Sequence, residues 1–338
     1  MRYKLFGRSG LRVSELALGT MTFGEDWGWG ASKEESHRIF DRFVEAGGNF
    51  VDIANNYTEG TAETFVGEFV AHERERFVVA TKYTLSKNKD DPNAGGNHRK
   101  NMVQSVEASL RRMNTEYVDI LWLHMWDGMT PVEEVLRAFD DLVRSGKVMY
   151  VGFSDTPAWV VSQAVAIAES RGWTRPVATQ APYSLADRSL ERDVLPMAKA
   201  LDLALTPWGM LEGGVLTGKY NADTGEARRY GDDPQSDREL KLATVLKDVA
   251  DEIGRSPSQI AINWVRQQPW LIIPIVGART EGQIKDNLGC LDFELTADQL
   301  HGLSEASPIQ LGFPRSFLES DGVRGLIFGD TYNLIDPS

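Results

Sequence analysis

The feature that most restricts this chain is an eightfold alternation of short apolar runs with stretches of helical punctuation. The runs are Leu16–Leu18, Asn49–Val51, Phe77–Thr81, Val118–Leu123, Val148–Phe153, Val177–Thr179, Leu203–Thr206 and Leu271–Ile275. Most are continuously apolar, as parallel strands covered on both faces must be. Between them, Ser32 with Glu35 has capping-box spacing. Thr130-Pro131-Val132-Glu133 places proline where a first helical turn tolerates a missing N–H. Behind it Val132, Val135, Leu136, Phe139, Leu142 and Val143 recur at helical spacing and make one apolar stripe. Thr156-Pro157 opens the fifth helix, Ser256-Pro257-Ser258-Gln259 an additional one, and Thr280 with Gln283 the eighth. Eight strand–helix units favour an α/β chain closed as a (β/α)8 TIM barrel over an open doubly wound sheet. No strand-to-helix turn carries the G-x-G-x-x-G fingerprint that would support the open form.

Residues 3–13 read as an N-terminal β-hairpin around Gly7-Arg8-Ser9-Gly10. No interdomain linker is evident, so 1–338 reads as a single domain, with a core of about 14–306 and a tail of 307–338. Residues 221–237 are polar and rich in Gly, Asp and Arg, which suggests a mobile loop. The tail lacks a helical period but carries Phe313, Phe317, Phe328 and Tyr332. It is expected to extend over the barrel mouth.

Charge and cysteine content narrow the partners. A net charge of −13 argues against a nucleic-acid partner, while leaving room for a local basic pocket. Cys290 is the sole cysteine, so no intrachain disulfide can form, which fits a reducing compartment. The start, Met1-Arg2-Tyr3-Lys4-Leu5, lacks a signal-peptide core, and no apolar stretch approaches the ~20 residues of a membrane helix. A cytoplasmic protein with no membrane partner is expected. Five scattered histidines and one thiol supply no usual metal cluster, so no metal is expected.

The candidate chemistry sits at strand exits. In a barrel these converge on one mouth. The second run leads to Asp52, with Tyr57 in the loop beyond; the third ends on Lys82 and the fourth on His124. Singly, these residues read as a loop cap, a rim residue, a strand-end charge and a core histidine. On consecutive units they read better as one site. A buried Lys82 needs a counter-charge, and Asp52 can supply it. The resulting cation is expected to lower the Tyr57 phenol from about 10 and make it a proton donor near neutral pH. His124 can hold a substrate oxygen. After the last run, Gly277-Ala278-Arg279-Thr280 precedes a capped helix, where backbone N–H groups and a bidentate guanidinium suit a phosphate. Trp27, Trp29, Met125, Trp126 and Phe313 are candidates for an apolar substrate pocket.

Asp52, Tyr57, Lys82 and His124 resemble the catalytic tetrad of the aldo-keto reductases. Phe50-Val51-Asp52-Ile53-Ala54-Asn55-Asn56-Tyr57, Gly146-Lys147-Val148-Met149-Tyr150-Val151-Gly152-Phe153-Ser154 and Gly214-Val215-Leu216-Thr217-Gly218-Lys219-Tyr220 are similar to that family's motifs. The likeness runs from the hairpin to about Asp298, and long-tailed bacterial members look closest. It implies NADPH-dependent reduction of an aldehyde or ketone to an alcohol. Tyr57 would be the general acid, Lys82 and Asp52 would tune it, and His124 would orient the carbonyl.

The same resemblance places Gly19, Thr20, Met21, Asp52, Ser154 and Gln180 near the nicotinamide and Trp208 on its ring. Gly209, Leu211, Gly213 and Lys219 are implied as further cofactor contacts. Gly277, Arg279, Gln283 and Asn287 are expected at the adenosine phosphate and adenine, favouring NADP. Two departures stand out: Asp155 where the family often has Asn, and Trp208-Gly209-Met210 for the commoner Tyr-Ser-Pro. The alternative function is a cofactor-binding regulatory subunit with weak or no turnover, like the family's potassium-channel β subunits. The start directly at the hairpin weighs against it. A metal-dependent barrel hydrolase, the third reading, lacks a ligand set. A homo-oligomer is as compatible as a monomer.

Overall fold

A computed structural model of the chain describes residues 1–219 and 236–336. An antiparallel hairpin, β1 (Tyr3–Leu5) and β2 (Arg12–Ser14), precedes eight parallel strands. These are β3 (Ala17–Gly19), β4 (Phe50–Asp52), β5 (Val78–Tyr83), β6 (Val118–Leu123), β7 (Val148–Ser154), β8 (Ala178–Gln180), β9 (Ala204–Leu205) and β10 (Ile275–Gly277). Neighbours run β10-β3-β4-β5-β6-β7-β8-β9.

The ring closes through backbone bonds between β9 and the segment entering β10. Leu205 N–H donates to Leu271 O (2.9 Å), Ile273 N–H to Leu205 O (2.8 Å) and Ile275 N–H to Pro207 O (2.9 Å). The last strand is therefore split. Its first part bonds to β9, while Ile275–Gly277 pairs with Ala17–Gly19. Pro274, which has no N–H to give a ladder, stands at the joint. For that reason the run expected at Leu271–Ile275 forms its regular strand at Ile275–Gly277, starting four residues later and ending two later.

Helices α1 (Lys33–Glu45), α2 (Thr61–Val70), α3 (Arg99–Met113), α4 (Val132–Arg144), α5 (Ala158–Arg171) and α6 (Val194–Ala200) follow β3 to β8 in turn. Between β9 and β10 lie α7 (Asp237–Ile253) and α8 (Pro257–Arg266); α9 (Glu281–Leu288) and α10 (Ala297–Ala306) come after. The α4 stripe packs as its spacing predicts, with Val132, Val135, Leu136, Phe139 and Leu142 buried. Each such side chain contributes about 1.5–3 kcal/mol relative to exposure. Ser256 and Thr280 cap α8 and α9 as expected. Pro131 and Pro157 each stand one place before their helix.

One capping expectation changes. Ser32 accepts from Glu35 N–H, but the Glu35 carboxylate does not return the bond. Its Oε1 accepts from Glu281 N–H (2.5 Å) at the start of α9. The first and last barrel helices are neighbours, and the positive end of α9 draws the carboxylate across.

The hairpin plugs the end where strands begin. Phe6 meets Phe50 edge to face (5.4 Å) and Trp122 (6.3 Å) inside the barrel. At Gly7, where φ is +60, a Cβ would lie 2.0 Å from Val177 O, so only glycine admits this approach. The opposite end is thereby left open for a site.

The loop expected at 221–237 lies outside the described residues except for Ser236, which caps α7, and Asp237, the first residue of that helix. The tail contains α11 (Arg315–Leu318) and α12 (Asp321–Phe328). It is tied to the loop after β8: Arg192 Nε donates to Gln310 O (3.0 Å) and Arg315 to Glu191 O. That loop leaves the C-terminal end of β8, so the described tail is tied to the mouth side, although none of its residues lines the opening. Among the described residues no helix is long and apolar enough to cross a membrane.

Candidate active site

A cavity of about 1310 Å³ opens at the strand exits. That exceeds the roughly 300–1,000 Å³ typical of pockets for drug-sized ligands. At its floor the four predicted residues come together. Asp52 ends β4 and Lys82 lies near the end of β5, so neighbouring parallel strands bring them side by side. Lys82 Nζ donates to Asp52 Oδ2 (2.5 Å), Ile53 O (2.7 Å) and Tyr57 Oη (3.2 Å). Gln180 at the end of β8 reaches across the barrel, its Nε2 donating to Asp52 Oδ1 (3.0 Å). The His124 and Tyr57 rings stand edge to face with centroids 6.2 Å apart.

The loop carrying Tyr57 is held in an uncommon conformation. Thr58 and Glu59 have φ of 46 and 56. Such geometry costs on the order of 1–3 kcal/mol per residue and persists only where neighbours enforce it. Here Thr58 Oγ1 donates to Phe23 O (2.5 Å) and accepts from Ala62 N–H (3.2 Å), while Trp27 Nε1 donates to Glu59 Oε1 (3.1 Å). A comparable brace fixes His124, whose N–H donates to Thr84 Oγ1 (3.2 Å). Thr84 has φ of 115 and also accepts from Asn97 Nδ2 (3.0 Å). Neither Thr84 nor Asn97 carries a sequence signal, because their role exists only through β5, β6 and the following loop meeting.

The electrostatics correct one expectation. Burial pushes the Tyr57 phenol above its ordinary value; the Lys82 ammonium opposes this but does not overcome it, and Asp52 adds to the rise. Tyr57 is thus a protonated phenol at neutral pH rather than one lowered toward it. Burial opposes the charge on Lys82, yet Asp52 and Tyr57 outweigh it and raise the ammonium. Burial and then Lys82 press His124 down to about 3, leaving it neutral. Asp155 is pushed up to about 6 by burial, with Trp208 and Lys82 pulling the other way.

From this floor the cavity runs outward past Gly19, Thr20, Met21, Trp208, Gly209, Leu211, Gly213 and Lys219 to Gly277, Arg279, Gln283 and Asn287. Trp27, Trp29 and Met125 also border it. Lys82 lies beneath the lining, and Ser154 is buried with its Oγ unpartnered. A buried hydroxyl without a partner, one residue before the cavity-lining Asp155, fits a polar ligand group brought to it. At the outer end Arg279 N–H donates to Gln283 Oε1 (2.8 Å), and Asn287 Nδ2 to Gly277 O (3.2 Å), which fixes the turn before α9.

Two predicted substrate residues lie elsewhere. Phe313 is 84% exposed and outside the lining. Trp126 packs half-buried against the core instead. Lining residues that sequence reasoning passed over include Asn56, Leu85, Lys247, Asp251 and Asp286. Those on α7 and α9 reach the cavity only through helix packing, which no local pattern announces.

Closed barrel, buried Asp–Lys–Tyr cluster and long two-ended cavity together define a class, and the comparisons agree. The family model described as "Aldo/keto reductase family" matches residues 15–307. The chain belongs to the aldo/keto reductase family and is an oxidoreductase. It is 38% identical over 320 residues to norsolorinic acid reductase A of Aspergillus parasiticus, covering 92% of this chain and 82% of that protein. It is 37% identical over 331 residues to the putative aryl-alcohol dehydrogenase AAD14 of Saccharomyces cerevisiae (93% and 88%). It is 36% identical over 355 residues to the aryl-alcohol dehydrogenase [NADP(+)] of Phanerodontia chrysosporium (96% and 89%).

Proposed function

We propose that this chain reduces aromatic aldehydes or ketones to alcohols with NADPH, using Tyr57 as general acid. The observation that carries the reading is the Tyr57 hydroxyl 3.2 Å from a buried ammonium at the floor of the cavity. The dinucleotide, when bound, supplies hydride to the carbonyl carbon. Tyr57, protonated at rest, gives its proton to the carbonyl oxygen, and Lys82 stabilises the phenolate that this leaves. Asp52 keeps Lys82 charged and in place. Neutral His124 donates its one N–H to the carbonyl oxygen and fixes its direction, while the acid proton comes from Tyr57.

Ser154 and Gln180 would hold the nicotinamide amide, with Trp208 against the ring. Gly19, Thr20, Met21, Gly209, Leu211, Gly213 and Lys219 would line its course. Arg279, Gln283, Asn287 and the backbone at Gly277 would take the adenosine end, where a guanidinium suits a 2′-phosphate. The relatives' names support NADP and aryl substrates. Trp27 and Trp29, 5.8 Å apart, with Met125 nearby, offer flat apolar surface for an aromatic carbonyl.

The test is Tyr57→Phe, assayed with an aromatic aldehyde and NADPH. Turnover should fall at least ~10³-fold, while NADPH affinity stays within about twofold. Retention of most of the activity would overturn the proton-donor role. Absence of NADPH binding by the unaltered protein would overturn the cofactor reading.

A further inference from the structure

At the inner end of the cavity the charges do not cancel. Asp52 is neutralised by Lys82, while Tyr57 and His124 are uncharged near neutral pH. Asp155 is what remains. It follows β7 with φ of 41, and its backbone is pinned: its N–H donates to Gln180 O (2.9 Å), and its O accepts from Trp126 N–H (3.4 Å). Its Oδ1 accepts from Trp208 Nε1 (3.4 Å). No ion pair with Asp155 occurs among the described residues, and the carboxylate borders the cavity alongside Gln180 and Trp208. The family resemblance leads one to expect an uncharged amide at this position.

We propose that Asp155 discriminates between the redox states of the nicotinamide, binding the cationic oxidised ring in preference to the neutral reduced one. The proposal rests on the reading that this cavity holds a nicotinamide dinucleotide. A uniformly placed amide would contact both states alike; a carboxylate is attracted only to the charged one. At an effective dielectric near 20, opposite unit charges within roughly 10 Å of one another favour the charged state by about tenfold or more.

The chemical consequence follows from the balance of the reaction. A hydride leaves the reduced ring with its electron pair and bonds to the carbonyl carbon, while the Tyr57 proton bonds to the oxygen. The carbonyl is reduced to an alcohol, the ring is oxidised to a cation, and the Tyr57 phenolate is reprotonated from solvent. Asp155 stabilises the side of this balance that carries the ring cation. It therefore makes the bound reduced cofactor a stronger donor and holds the oxidised product longer.

The experiment is calorimetric titration of the full chain with NADP+ and with NADPH at about pH 8, where Asp155 is ionised. Asp155→Asn keeps the shape and tolerates positive φ. It should raise the dissociation constant for NADP+ about tenfold and change that for NADPH by less than about twofold. Asp155→Ser, which also removes the charge, should behave alike. If both constants move by the same factor, or neither moves, the inference is overturned while the cofactor reading stands. If the unaltered protein binds neither nucleotide, both fall.

Discussion

The Lys82 ammonium lies 2.5 Å from Asp52 Oδ2, with 1% and 3% of the two side chains exposed. Neither charge is tolerable there without the other, since removing one partner of a buried pair leaves the second desolvated and unpaired. Asp52→Ala should therefore cost about 3–5 kcal/mol of stability, along with turnover. Adding Lys82→Met should restore part of the stability and none of the activity. Urea denaturation and an NADPH-consumption assay measure the two separately. A single Asp52 variant with an unchanged midpoint would show that the pair is not the structural unit described.

Ser154 reverses the usual relation between stability and burial. Its Oγ is buried without a partner, so Ser154→Ala removes an unsatisfied group and should be neutral or stabilising by about 1 kcal/mol. Under the proposed function the same change removes a nicotinamide contact, and the NADPH dissociation constant should rise about fivefold. Thermal unfolding and nucleotide titration together test this. A large loss of stability with unchanged binding would mean that the hydroxyl has a structural partner.

His124 makes stability depend on pH in a defined direction. Its imidazole is depressed to about 3 in the fold, whereas the unfolded chain titrates near its ordinary 6.5. Below about pH 6.5 the unfolded chain takes up a proton that the fold refuses. The stability it contributes is present above that pH and is lost as pH falls towards 3, at up to about 1.4 kcal/mol per unit. Ring resonances of His124 should show no protonation between about pH 5 and 8, and His124→Asn should remove this part of the slope. A midpoint near 6 by NMR would contradict the neutral, hydrogen-bonding role.

The barrel and the members of its site were readable because both are periodic or local properties. Apolar runs separated by capped helices specify parallel strands covered on both faces, and a residue at a run's end belongs to the mouth whatever else the chain does. Asp52, Lys82 and His124 could thus be grouped from the sequence, and the turn after Val276 could be placed at the same mouth.

What only the tertiary structure decided are properties set by neighbours distant in sequence. The Tyr57 phenol is raised rather than lowered because enclosure outweighs Lys82. Glu35 crosses to α9, Pro274 divides the last strand, and the tail is moored at Glu191 and Arg192 without lining the cavity. The carboxylate at Asp155 acquires its significance only once Asp52 is seen paired to Lys82 and Tyr57 and His124 are seen to be uncharged. Residue type and spacing determine which groups arrive at the mouth; desolvation and the partners met there determine what charge each one carries.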